Sequence, residues 1–211
     1  MPFFRDPGAN RRAALITSPG RRRVLAFGAM APLGLAPHAR AQPEAVASLL
    51  RAGGALIAFR HALAPGTFDP PEFRLGDCST QRNLDATGRE QARRIGQWFA
   101  ARALVPRQVL TSPWCRCIDT AQLAFGAGRV EQALGSPHGA AADARAAAQR
   151  RLRSALATAV ARPGGFEVWV THMFVLADLT GEGSSPGEGL VLAPGSGDTP
   201  ARVLARLAIP A

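Results

Sequence analysis

The sequence predicts a three-layer α/β/α sandwich with a mostly parallel central sheet, and two observations carry that prediction. Apolar runs at 54–60, 107–111 and 167–171 alternate with segments of helical periodicity, the pattern that builds parallel sheets covered on both faces. Each run is followed at once by polar residues, and open α/β sheets bind ligands beyond the carboxyl ends of their strands. The chain has 211 residues, 47% of them hydrophobic, enough for one domain with a substantial core.

Residues 44–51 fit a short helix that leads into the first strand. Residues 62–82, rich in Gly, Pro and Asp, read as a long loop over the end of that strand; such loops in compact domains are often functional or else disordered. "LDATGREQARRIGQWFAARAL" is the clearest helix. Thr87 and Glu90 make a capping box, and Ala92, Ile95, Trp98, Phe99 and Ala103 share a face. After the strand 107–111, Ser112 can cap and Pro113 can open the helix that carries "WCRCIDTAQLAF". Residues 126–143 are irregular, with one extended piece near Val130. "DARAAAQRRLRSALATAVA" is a second long helix, followed by a Pro-Gly-Gly break and the strand "FEVWVT". A helix over 173–180 and strands at 189–193 and about 202–208 complete the pattern. There is no internal repeat, GxGxxG fingerprint or P-loop.

The formal charge of +10 is concentrated at the front, where residues 1–41 hold seven arginines against Asp6. The remainder has no dense basic stripe interleaved with aromatics, which argues against a nucleic-acid partner. Arg21, Arg22 and Arg23 precede an apolar stretch from Val24 to Ala36, and Ala39-Arg40-Ala41 is a small-x-small cleavage signal. The apolar stretch falls short of the roughly 20 residues that span a bilayer. Arg21, Arg22, Val24 and Leu25 also fit the twin-arginine export pattern. Residues 1–41 are therefore expected to be a twin-arginine signal peptide, with the export machinery as partner. Residues 42–211 would be the mature periplasmic domain, which does not span the membrane. In that oxidising compartment Cys78 is expected to bridge to Cys115 or Cys117, leaving one thiol free. Cys115 and Cys117 themselves point to different sides of a helix. Cys-x-Cys without a nearby histidine lacks the usual zinc spacing, and neither a metal nor another cofactor is expected.

The strand ends supply one consistent set of residues. Arg60 and His61 follow the first strand, Ser112 and then Arg116 the second, and His172 the third. A histidine at one strand end is commonly a surface residue; two histidines and two arginines delivered to one sheet edge are a site. Arginines grip phosphoryl oxygens, and a neutral imidazole can attack phosphorus to give a phosphohistidine. A second histidine, expected to be protonated, would stabilise charge on the equatorial oxygens. His61 is the expected nucleophile, with Arg60, Arg116 and His172 binding and neutralising.

The same residues carry a resemblance to the histidine phosphatase superfamily, in its phosphoglycerate-mutase-like branch. "FRHA" resembles the Arg-His-Gly signature, with Ala62 at the glycine position. "LDATGREQA" is similar to a second motif through Leu84, Gly88, Gln91 and Ala92, with Asp85 replacing a threonine. "SPWCRCIDTA" matches a third through Ser112, Arg116, Thr120 and Ala121, and "VWVTH" matches the last. The resemblance spans about residues 52–210 and implies a phosphate pocket of Arg60, His61, Arg116 and His172, with His61 phosphorylated.

An alkyl phosphoester also needs a proton on its leaving oxygen. Relatives usually carry that acid between the second strand–helix unit and the next long helix, where this chain offers Glu131, His138 and Asp143. Asp77 in the first loop is the preferred candidate and Glu188 the next, while Asn83 is a possible pocket residue. Phe174, near His172, is expected to pack in the core. The expected activity is metal-independent phosphomonoester hydrolysis on a phosphorylated small molecule or an envelope glycan or lipid. Two alternatives stand beside it: a phosphohistidine protein phosphatase, and a non-catalytic member that only binds anionic ligands.

Overall fold

The computed structural model describes residues 43–197 and 199–211, so the expected signal peptide lies outside the described residues. Helix α1 spans Pro43–Ala52 and leads into strand β1, Ala55–Arg60. Helix α2 (Ala86–Ala100), strand β2 (Gln108–Thr111), helix α3 (Cys115–Phe125) and the short strand β3 (Arg129–Val130) follow. Helix α4 (Ala142–Ala161), strand β4 (Phe166–Thr171), helix α5 (Met173–Thr180) and strands β5 (Gly189–Ala193) and β6 (Arg202–Leu207) complete the order.

The strands form one sheet in the order β3-β2-β4-β1-β5-β6. The first four are mutually parallel. β5 runs antiparallel to β1, and β6 antiparallel to β5. No helix separates β5 from β6, and a short connection between neighbouring strands allows only the antiparallel pairing.

Side chains alternate across the sheet with the two-residue period of strands. Ile57, Phe59, Val168, Val170 and Val191 pack under α1, α2 and α3 against Leu50, Ile95 and Phe99. Leu56, Ala58, Trp169, Leu190 and Leu192 pack under α4 and α5 against Leu152, Leu156, Leu176 and Leu179. Each large side chain buried this way contributes about 1.5–3 kcal/mol. The two apolar layers make the expected sandwich.

Three local details differ from the sequence expectation. Asp85, not the Thr87–Glu90 pair, caps α2: its Oδ1 accepts from the Gly88 amide at 2.7 Å. Its extended backbone sets the carboxylate beneath the first turn, and aspartate outranks threonine as a cap. Ala103 lies beyond the end of α2 with φ at 51°, so it does not extend the apolar face. Helix α3 starts at Cys115 with Trp114 as its cap residue; Ser112 and Pro113 precede it.

Helix α2 also approaches the loop after β1 closely. A Cβ on Gly88 would sit 1.8 Å from the Leu63 carbonyl oxygen. Glycine there lets the helix lie directly on the backbone that follows His61. Among the described residues no helix is long and apolar enough to cross a membrane.

Candidate active site

Register brings the site together. Arg60 pairs with Thr171 at the end of the β1–β4 ladder, and Thr111 pairs with Val170 at the end of β2–β4. The ladders continue one residue further: the His61 amide donates to Thr171 O and the Ser112 amide to Val170 O, both at 2.9 Å. His61, Ser112 and His172 therefore leave the sheet side by side. The two imidazole rings are 5.5 Å apart, centroid to centroid.

Hydrogen bonds fix the tautomers. Nδ1 of His61 is 2.7 Å from Ala62 O. A carbonyl can only accept, so Nδ1 carries the hydrogen and Nε2 keeps its lone pair. Burial lowers the His61 pKa to about 3; the Ala62 bond opposes this, and the charges of Arg116, Arg82 and Arg60 add to it. In His172, Nδ1 faces Nη2 of Arg116 at 3.4 Å and Nε2 faces Ser112 Oγ at 2.8 Å. Arginine only donates, so Nδ1 accepts and Nε2–H donates to the serine. Burial, His61 and the arginines hold the His172 pKa well below its ordinary value. The expectation of a protonated His172 is thus corrected: as arranged, both imidazoles favour the neutral form, because burial disfavours the charged ring and the nearby arginines add to that.

Arg116 is 3% exposed, and its two terminal nitrogens grip Asp69, Nη1 to Oδ1 at 2.7 Å and Nη2 to Oδ2 at 3.1 Å. Asp69 also accepts from Trp114 Nε1 at 3.1 Å and from the Arg82 amide at 3.0 Å. Arg60 donates through Nη1 to Ser184 O at 2.8 Å. Arg82 donates to Ala64 O, and burial, with Arg116 next, lowers its pKa to about 10. The Nε–H groups of Arg60, Arg82 and Arg116 are buried without a hydrogen-bond partner among the described residues. Buried donors left unpaired are costly, and all three belong to arginines whose charges act on His61. The site is built for an anion.

Sequence reasoning missed Asp69 and Arg82. Both lie in the 62–82 loop, and "TFDPPEF" offered only an aspartate before two prolines, the look of an ordinary turn.

The remaining candidates lie in other surroundings. Asn83 donates to Cys78 O at 2.7 Å. Asp77 caps the short 3-10 turn Cys78–Thr80. Hydrogen bonds from Ser79 and Arg74 hold its carboxyl below the usual range. Glu188 accepts from the Ser185 amide at 2.8 Å and pairs with Arg206 at 3.1 Å. It touches the site through its backbone, where its carbonyl accepts from the Arg60 amide at 3.0 Å. Glu131 pairs with Arg151, and Asp143 accepts from the Ala144 amide. His138 stacks on Phe68, centroids 4.5 Å apart. Phe174, expected in the core, is half-buried with its ring 6.3 Å from that of His138.

Other residues of the four motifs shape the turn after His61. The Ala62 amide donates to Thr120 Oγ1 at 3.1 Å and the Leu63 amide to Gln91 Oε1 at 2.8 Å. Ala62 keeps a negative φ, so alanine replaces glycine there without backbone strain. Cys78 bridges to Cys115 and Cys117 is free and buried, one of the two expected pairings. The Cys117 Sγ lies 3.5 Å from Nε2 of His172, and burial pushes its thiol up to about 12.

Part of the chain and its fold are similar to those of one class of proteins. Residues 74–135 match the model of the histidine phosphatase superfamily (branch 1), a segment that includes Arg116 but neither histidine of the site. Phosphoglycerate mutase from Thermus thermophilus shares the fold, with a TM-score of 0.50 and 24% identity over 74% of this chain and 99% of that one. The protein histidine phosphatase SixA, complexed with tungstate, gives 0.50 at 16% identity over 73% and 96%. At those identities the likeness is one of fold. No curated protein matches the chain.

Proposed function

We propose that this chain is a phosphatase that hydrolyses phosphomonoesters through a phosphohistidine on His61. The observation that carries this reading is the lone pair on His61 Nε2, which belongs to a neutral imidazole beside His172 and under three arginines. A neutral imidazole is nucleophilic without a separate base, and fixed donors around it stabilise charge on the phosphoryl oxygens. Arg60, Arg116 and Ser112 bind those oxygens. His172 adds an imidazole whose basicity rises once a dianion enters its field. Brief exposure to radiolabelled p-nitrophenyl phosphate followed by acid-free denaturation should trap label on wild-type protein. His61→Ala should trap none and lose turnover by at least about a thousandfold. Full turnover by that variant would remove the assigned nucleophile.

The export reading is proposed alongside. It is supported by the twin-arginine pattern at Arg21 and Arg22 and by the Cys78–Cys115 bridge, a bond typical of oxidising compartments. N-terminal sequencing of the periplasmic fraction should find a mature chain beginning near Gln42, and a full-length cytoplasmic chain would refute it.

A further inference from the structure

The acid that an alkyl leaving group needs is the one role for which the sequence offered no clear residue. The structure puts a different carboxylate at the site from those the sequence favoured. Asp69 is held in the fork of Arg116, where its two oxygens meet both terminal nitrogens. That is the bidentate grip arginine gives to a phosphoryl group. The carboxylate therefore stands where a phosphoryl group would be gripped, and its side chain is only 15% exposed. His61 and His172 are 2% and 3% exposed, and the Arg116 that grips Asp69 also faces Nδ1 of His172.

We propose that Asp69 is the proton donor to the leaving group, and that Arg116 holds it in reserve until a phosphoryl group takes its place in the fork. This rests on the phosphatase reading above. The carboxylate is subject to opposing influences: burial pushes its pKa up, while bonds from Arg116, the Arg82 amide and Trp114 pull it below the ordinary value. Exchange of Arg116 from carboxylate to phosphoryl removes the strongest restraint and leaves burial in place. The entering dianion adds like-charge repulsion, which raises a carboxyl pKa further. Asp69 then takes up a proton from solvent next to the leaving oxygen.

The proton and the bonds balance. His61 Nε2 forms the bond to phosphorus as the bond to the ester oxygen breaks, and Asp69 gives that oxygen its proton. Water then attacks the phosphohistidine, and the Asp69 carboxylate accepts the proton this water loses. Inorganic phosphate departs, His61 is regenerated, and Asp69 holds the proton with which it started; release of that proton returns the carboxylate to Arg116.

The test is Asp69→Asn in the full mature chain, with two substrates of different leaving group and inorganic phosphate as competitor. General acid catalysis contributes about 10²- to 10⁴-fold. The kcat for β-glycerophosphate should fall by that factor, while p-nitrophenyl phosphate, whose leaving oxygen needs no proton, should lose less than about tenfold. Phosphate should bind the variant more tightly, because the competing charge is gone from the Arg116 fork. Equal losses on both substrates, unchanged kcat on the alkyl ester, or weaker phosphate binding would each overturn the proposal. His61 labelling in the wild type, measured in parallel, shows whether the failure belongs to Asp69 or to the phosphatase reading beneath it.

Discussion

The ends of β1, β2 and β4 and the 62–82 loop that covers them are built on different principles. At the strand ends, backbone register alone sets His61, Ser112 and His172 side by side, with two amide bonds extending the ladders past the strands. The loop has no such frame. It is held by a disulfide at Cys78, by the Asp69 carboxylate in the Arg116 fork and by the close approach of α2 at Gly88. The proposed nucleophile, His61, thus sits on the part of the molecule that cannot shift without breaking the sheet. Asp69, the proposed acid, sits on the part held by ties between side chains and single loop groups. Catalytic sites need both: fixed geometry for the attacking atom and a cover that can move.

Acid should break the strand-end cluster first, and this is the larger of the two expected effects. The folded-state pKa of His61 lies near 3, below its ordinary 6.5, and that of His172 is lowered as well. The folded protein binds fewer protons at these groups than the unfolded chain does. Their neutral burial is therefore fully compatible with folding above pH 6.5, and stability falls as pH drops from 6.5 toward 3. Thermal unfolding of the wild type between about pH 7 and 4 should show a steep fall in Tm, and His61→Asn should flatten it. An unchanged slope in that variant would show that other groups carry the acid sensitivity. For the same reason kcat/KM should show no acid limb near 6.5.

Loss of the Cys78–Cys115 bridge should act on the loop. The two cysteines are 37 residues apart, and a bridge closing a loop of that size contributes about 2–4 kcal/mol. The Cys78→Ser, Cys115→Ser double variant should be destabilised by that amount and be cut by protease within 62–82, while keeping its response to acid. Cleavage elsewhere first would mean that the bridge does not hold this loop.

The division between edge and loop also explains how far the sequence could be read. Parallel strands announce themselves as apolar runs, and residues placed just after such a run must lie at the sheet's edge. Arg60, His61, Ser112, Arg116 and His172 were therefore legible from position alone. A loop has no period. Asp69 and Asp77 are both aspartates in a Gly- and Pro-rich stretch. Only folding shows that one reaches Arg116, 47 residues away, while the other bonds to its near neighbours Ser79 and Arg74. The cap of α2 failed for a related reason: Asp85 and Thr87 are both good cap residues, and backbone geometry chose between them.

The lone cysteine has a consequence of its own. Cys117 lies two residues from a bridged partner, close enough in the chain to contend for Cys78. Burial pushes its thiol up to about 12, which disfavours the thiolate, the form that attacks a disulfide. The native molecule is thereby protected from shuffling its own cross-link. That protection lasts only as long as α3 keeps Cys117 buried.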